Sequence, residues 1–167
     1  MEFPRFLLVR QRFPDLRLKD IEGSIRKTLE QSGMADGLRP GSTIAIGVGS
    51  RGIANIQLIV RTSVHWWKDK GMRPFVVPAM GSHGAATPKG QAEVLAKYGV
   101  TEAGAGCPIR SSMKVVRLGV ADGIPVCMDA LAYASDGVML CGRVKWHTDF
   151  AGNLESGLFK MMAIGLG

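Results

Sequence analysis

Three short apolar runs, each with a glycine at or near its end, set the strongest limit on how this chain can fold. "TIAIGVG" (43–49), "RPFVVPAMG" (73–81) and "DGVMLCGRV" (136–144) are β-prone and too short for buried helices. Between and around them lie longer segments with helical spacing. "LKDIEGSIRKTLEQSG" places Leu18, Ile21, Ile25 and Leu29 on one face and ends near Gly33. "IANIQLIVRTSVHWWKDKG" places Ile53, Ile56, Ile59 or Val60, and Val64 inward, with Gly71 as its stop. "TPKGQAEVLAKYG" opens with a capping residue, Thr87, and with Pro88 in the first turn, and stops at Gly99. "MKVVRLGV" and "IPVCMD" read as two strands joined by a turn at "ADG", and "ESGLFKMMAIG" begins one more helix. Strands that alternate with helices predict an α/β fold: a Rossmann-like, mostly parallel sheet with helices on both faces. In such sheets ligands sit beyond the carboxyl ends of the strands. The loops to search for chemistry are therefore "GSRG" (49–52), "GSHG" (81–84) and "RVKWHT" (143–148).

Composition narrows the class. The 167 residues make one domain by size, with a globular balance of 46% apolar and 21% charged residues. No apolar run approaches the roughly 18 residues of a membrane span. The opening "MEFPRFLLVRQRF" carries Glu2 and only a short apolar patch, so it does not read as a signal peptide. Cys107, Cys127 and Cys141 are odd in number and widely spaced, which fits neither a disulfide framework nor a CxxC metal pair. The expectation is a cytoplasmic protein without membrane or nucleic-acid partners. The net charge of +7 comes from scattered basic residues with no interleaved aromatic motif, so it describes a basic surface or a site for small anions. Glycine, at 22 of 167 residues, is close to twice its usual share and clusters after the apolar runs.

Three constellations carry candidate chemistry. In "GVGSRGIANI", Ser50 and Arg51 sit between glycines, after a strand and before a helix. Exposed N–H groups there favour anions, and the planar fork of Arg51 suits a carboxylate or phosphate. The loop is no Walker motif, since GxxxxGK[ST] is missing, and there is no GxGxxG. In "VVPAMGSHGAATPKG", His83 stands between glycines at a strand end, where an imidazole can serve as acid, base or ligand. In "GRVKWHTDFAGNLESGLFK", Arg143, Lys145 and His147 alternate as if one face looked toward a pocket. Lys160 follows among methionines, where spacing alone reads it as a surface residue. His65, beside Trp66 and Trp67, reads as a packing or surface residue of its helix.

Together, "GSRGIANI", "PFVVPAMGSHGAAT", "RVKWHTDF" and "SGLFKMMAIGLG" resemble the nickel-dependent lactate racemase family and its relatives, in the right order and from about residue 40 onward. The resemblance implies the N-terminal α/β domain of a two-domain protein whose active site lies in the cleft between domains. It implies a nickel-pincer nucleotide as cofactor, tethered through a lysine, and racemisation or epimerisation of a 2-hydroxy acid. His83 and His147 would be the paired acid/base residues on opposite sides of the substrate carbon. Lys160 would be the tether, and Arg51, with Ser50, would hold the substrate. No nickel ligand falls within this chain; the resemblance puts that histidine, with the second domain, beyond Gly167. The expectation is that residues 1–167 form a single domain that is inactive alone and exposes an inter-domain face able to drive homo-oligomer formation.

The chain departs from the family pattern in two places. The lactate enzymes carry an acidic residue shortly before the arginine, where this chain has "GVGS", which argues against lactate itself as substrate. The distance from His147 to Lys160 is also a few residues longer, so the match at Lys160 needs an insertion. A second reading is a non-catalytic module that binds a small carboxylate or phosphate at GSRG and GSHG.

Overall fold

The computed structural model describes residues 6–50, 52–146, 149, 152, 153 and 155–167. Its centre is a parallel sheet of three strands, β1 (Thr43–Val48), β2 (Arg73–Pro78) and β5 (Gly137–Cys141), in the order β2-β1-β5. β1 pairs with β2 from Thr43↔Arg73 to Val48↔Pro78 and with β5 from Ile44↔Gly137 to Val48↔Cys141. All three expected strands form. The two further strand candidates pair only with each other, as an antiparallel hairpin of β3 (Val115–Ala121) and β4 (Ile124–Asp129). The reason lies in their composition: Val115, Leu118, Val120 and Ile124 are exposed on the ribbon, which reaches the core at the end of β4 through half-buried Met128.

Six helices are present among the described residues: α1 (Ile21–Gln31), α2 (Ile56–Asp69), α3 (Pro88–Lys97), α4 (Glu102–Ala105), α5 (Ala130–Tyr133) and α6 (Leu158–Lys160). The first begins later than the spacing of Leu18 predicts, because the Asp20 carboxylate caps it by accepting from Gly23 N, which leaves Leu18 exposed. The second begins at Ile56 rather than Ile53, because Asn55 adopts a left-handed conformation (φ 56°) that interrupts the helical run. Thr87 and Pro88 start α3 as expected, with the Thr87 hydroxyl accepting from Gly90 N. The last helix is only one turn long and continues as a π-helical turn over Met161–Gly165.

The two faces of the sheet are covered unequally. On one, Ile44, Ile46, Val48 and Val76 pack under Val60, Val64 and Trp67 of α2 together with Leu29 and Leu95. Each such fully buried side chain contributes about 1.5–3 kcal/mol. Trp66 and Trp67 meet edge to face at 4.8 Å, with their N–H groups donating to Glu30 Oε2 and to Met139 Sδ. On the other face, Ala45, Phe75 and Val77 are covered by Ala132 of the short α5 and by Leu166 from the final turn. Among the described residues helices thus dominate one face, while the opposite face is covered by a single helical turn, by Met128 of β4 and by the closing segment. Among the described residues no helix is long and apolar enough to cross a membrane.

Where β5 enters the sheet, Asp136 fixes its register on β1. The Thr43 backbone N–H and hydroxyl donate to Asp136 Oδ2 at 2.7 and 2.8 Å, and these bonds hold the carboxyl below its ordinary range. A depressed folded-state pKa means that the contribution is complete above the ordinary carboxylate value and is lost as pH falls through the lowered one. Asp136→Asn keeps an acceptor but cannot titrate. It is therefore expected to lose less stability than the parent between about pH 6 and pH 3, as read from urea midpoints.

Candidate functional site

The three parallel strands end at the same edge, and a cleft of about 630 Å³ opens there. That volume suits a small molecule or cofactor. Its wall takes Ser50 from the end of β1, His83 from the loop after β2, and Arg143 and Lys145 from the segment after β5; Lys160 of α6 closes it. Ser50, His83 and Lys160, chosen from separate motifs, therefore face one cavity. Arg51 and His147 lie outside the described residues. His65 is on the exposed side of α2 and plays no part in the cleft.

The loop that presents His83 is unusual in its backbone. Gly84, Ala85 and Ala86 follow one another in the left-handed region, at φ 65°, 56° and 51°. For an L residue that conformation costs about 1–2 kcal/mol, so the two alanines need outside support. Support comes from α3. The Thr87 hydroxyl donates to Gly84 O at 3.0 Å, and the side-chain amide of buried Gln91 donates to Gly81 O at 2.8 Å. Gly90 lets the loop lie directly on the first turn of the helix, because a Cβ there would stand 2.0 Å from Gly84 O. The sequence motif "TPKGQ" thus reads as a helix start but also serves as the platform for His83.

Ser50 and His83 meet in the cleft, where the Ser50 hydroxyl and His83 Nδ1 share a half-buried hydrogen bond. Spacing in the sequence could not show this, since the residues are 33 positions apart. On the facing side, Arg143 Nη1 donates to Gly52 O at 3.1 Å and ties the GSRG turn to the segment after β5. Met161 packs so closely over Gly142 that a Cβ at that glycine would stand 2.0 Å from its sulfur, which brings α6 and Lys160 against the strand ends. Arg143 and Lys145, whose alternation with His147 points one face of the segment toward a pocket, do line the cleft, whereas nothing in the sequence marks Gln91 as a brace.

Among the described lining residues there are three cations, Arg143, Lys145 and Lys160, and no carboxylate. Such a wall favours anionic ligands. Cys141 ends β5 near this edge and Cys107 is buried elsewhere in the core; burial pushes both thiols up to about 11, so neither is a nucleophile near neutral pH. Among the described residues no group of three His, Cys, Asp or Glu is arranged to hold a metal ion. No family model and no curated protein matches this chain in sequence comparison.

The packing of the His83 loop on α3 predicts a reversal of the usual glycine rule. In an ordinary helix Gly→Ala gains about 1 kcal/mol. Gly90→Ala is expected instead to cost about 1–3 kcal/mol, measured as a lowered denaturant midpoint, because the methyl must push the Gly84 backbone away. A stabilised Gly90→Ala variant would show that the loop does not rest on this helix.

Proposed function

We propose that this chain is the first, Rossmann-like domain of a two-domain, nickel-pincer-nucleotide-dependent racemase or epimerase that acts on 2-hydroxy acids. The observation that carries the reading is the meeting of four separated motifs. GSRG, GSHG, the start of RVKWHT and SGLFK all reach the one cleft at the carboxyl edge of the sheet. Parallel pairing brings the first three to that edge; the arrival of SGLFK, with Lys160, beside them is what supports the reading.

The described residues fit part of the implied cofactor. A primary amine, Lys160, faces the cavity and supplies the nitrogen for a covalent tether. Arg143 and Lys145 supply positive charge suited to a nucleotide phosphate or a substrate carboxylate. The described residues provide no metal-holding cluster, so the fit is to the nucleotide and its tether rather than to the metal. When bound, such a cofactor supplies the redox capacity that side chains lack.

This chain's residues then have distinct tasks. His83 exchanges a proton with the substrate hydroxyl, and His147, outside the described residues, is assigned the same task on the opposite face of the carbon. Two such groups are what inversion of a nearly symmetric centre requires. Arg51, also outside the described residues, and the cations of the cleft wall hold the carboxylate, so that the hydroxyl is presented to a histidine in either orientation. The absence of an acid in "GVGS" favours a 2-hydroxy acid other than lactate.

The electropositive wall alone also supports a second reading, a binding module for small anions without chemistry. Lys160 separates the two. The protein, carried with its second domain and produced together with enzymes that build the cofactor, is expected to show an added mass on the Lys160 peptide, bound nickel and interconversion of 2-hydroxy acid enantiomers. Lys160→Ala is expected to lose all three. An unmodified Lys160 and absent nickel, with inorganic phosphate or a 2-hydroxy acid still binding in the cleft, would replace the enzyme reading with the binding module.

A further inference from the structure

The bond between Ser50 and His83 carries information about how the imidazole works. Ser50 stands at the end of β1 and His83 in the loop after β2, so two hydrogen-bonded neighbouring strands set the separation of the partners. Both ends are held by the backbone. Gly49 N donates to Cys141 O at 3.0 Å on one side, and the Gln91 amide holds Gly81 O on the other. The contact is half-buried, where a hydrogen bond is electrostatically stronger than in water.

The direction of this bond follows from its chemistry. A hydroxyl can donate to a neutral Nδ1 or accept from a protonated one. In the imidazolium both ring nitrogens carry hydrogen, so a bond donated by the hydroxyl must break or reverse whenever the ring takes its second proton. A bond donated by Nδ1–H to the serine oxygen is the same in both protonation states. A ring that gives and takes a proton repeatedly therefore keeps one unchanged hydrogen bond in the second arrangement, whereas the first needs the hydroxyl to turn round at every protonation.

We propose that Ser50 is a positioning residue for His83: its oxygen accepts from Nδ1–H, fixes that tautomer and directs proton exchange through Nε2. The inference rests on the reading of His83 as an acid/base group and revises the expected role of Ser50 from substrate holder to histidine holder. It also gives the serine a chemical consequence. A neutral oxygen orients the ring without the Coulombic stabilisation of the imidazolium that a carboxylate brings, so Ser50 keeps the imidazolium a readier proton donor than an aspartate at the same position would.

The test needs no cofactor. The chain has three histidines, and long-range proton–nitrogen correlation spectra of the 15N-labelled protein report the tautomer and titration of each ring. His83→Gln identifies the His83 signals. Above its pKa, His83 is expected to show the Nδ1–H pattern. Ser50→Ala is expected to move it toward the Nε2–H form that predominates in free histidine, and Ser50→Thr to restore the parent pattern. Ser50→Asp is expected to raise the His83 pKa by about 1–3 units. Backbone amide spectra of each variant establish that the fold is kept. A parent His83 in the Nε2–H form, or a tautomer that Ser50→Ala leaves unchanged in a folded protein, would overturn the proposal. The functional reading is tested separately in the cofactor-loaded two-domain protein: a pH profile of kcat unmoved by Ser50→Asp, in a variant whose His83 pKa has risen, would remove His83 from the chemistry while leaving the positioning role intact.

Discussion

β1 has a parallel partner on each side, and the rest of the structure depends on that arrangement. Parallel neighbours must all end at the same edge, so the loops after β1, β2 and β5 are forced together although they lie far apart in the chain. β1 and β2 are buried on both faces, which is why their sequences are continuous apolar runs rather than alternating ones, while β5 is only partly covered and leaves Val138 exposed. Glycine at the strand ends is the third consequence. The segments that leave one edge crowd each other: Gly142 leaves room for the Met161 side chain, and the Gly84–Gly90 contact lets backbone lie on backbone.

This crowding explains how a small sheet can hold a defined site. The His83 loop contains two left-handed alanines, and its conformation depends on Thr87, Gly90 and Gln91 from the following helix. Gly52, beyond the end of β1, is held by Arg143 from the other flank of the strand. The candidate segments are therefore braced by different elements, the His83 loop by α3 and Gly52 by the segment after β5. Strain at the His83 loop is held by packing on α3, while its side chain is held by Ser50.

Much of this was legible in the sequence because the strong signals are local. The apolar runs at 43–49, 73–81 and 136–144, the Thr87-Pro88 helix start and the turn at "ADG" each carry their own physical cause, and each forms. The parts missed are those specified by contacts across the chain. α4 and α5 are four residues each, too short for a helical period; Asp129 defines α5 by accepting from Leu131 N and Ala132 N. The π-helical turn after Lys160 follows no apolar spacing and is fixed by Leu166 entering the core and accepting from Asp129 N. In the cleft, the glycine motifs point to Ser50 and His83 and the family resemblance to Lys160, but the Ser50–His83 bond joins two strand ends and the Arg143–Gly52 bond joins two loops. No one-dimensional pattern contains either.

We propose that the carboxyl edge of this sheet is one ligand site, shared by His83 and Lys160. The decisive measurement is anomalous diffraction at the nickel edge, from crystals of the proposed two-domain protein produced together with enzymes that build the cofactor. The expected result is electron density continuous with Lys160 Nζ, running through the cleft beside His83, with the nickel peak inside the cleft. An unmodified Lys160, or a nickel and nucleotide bound on another face of the domain, would contradict it.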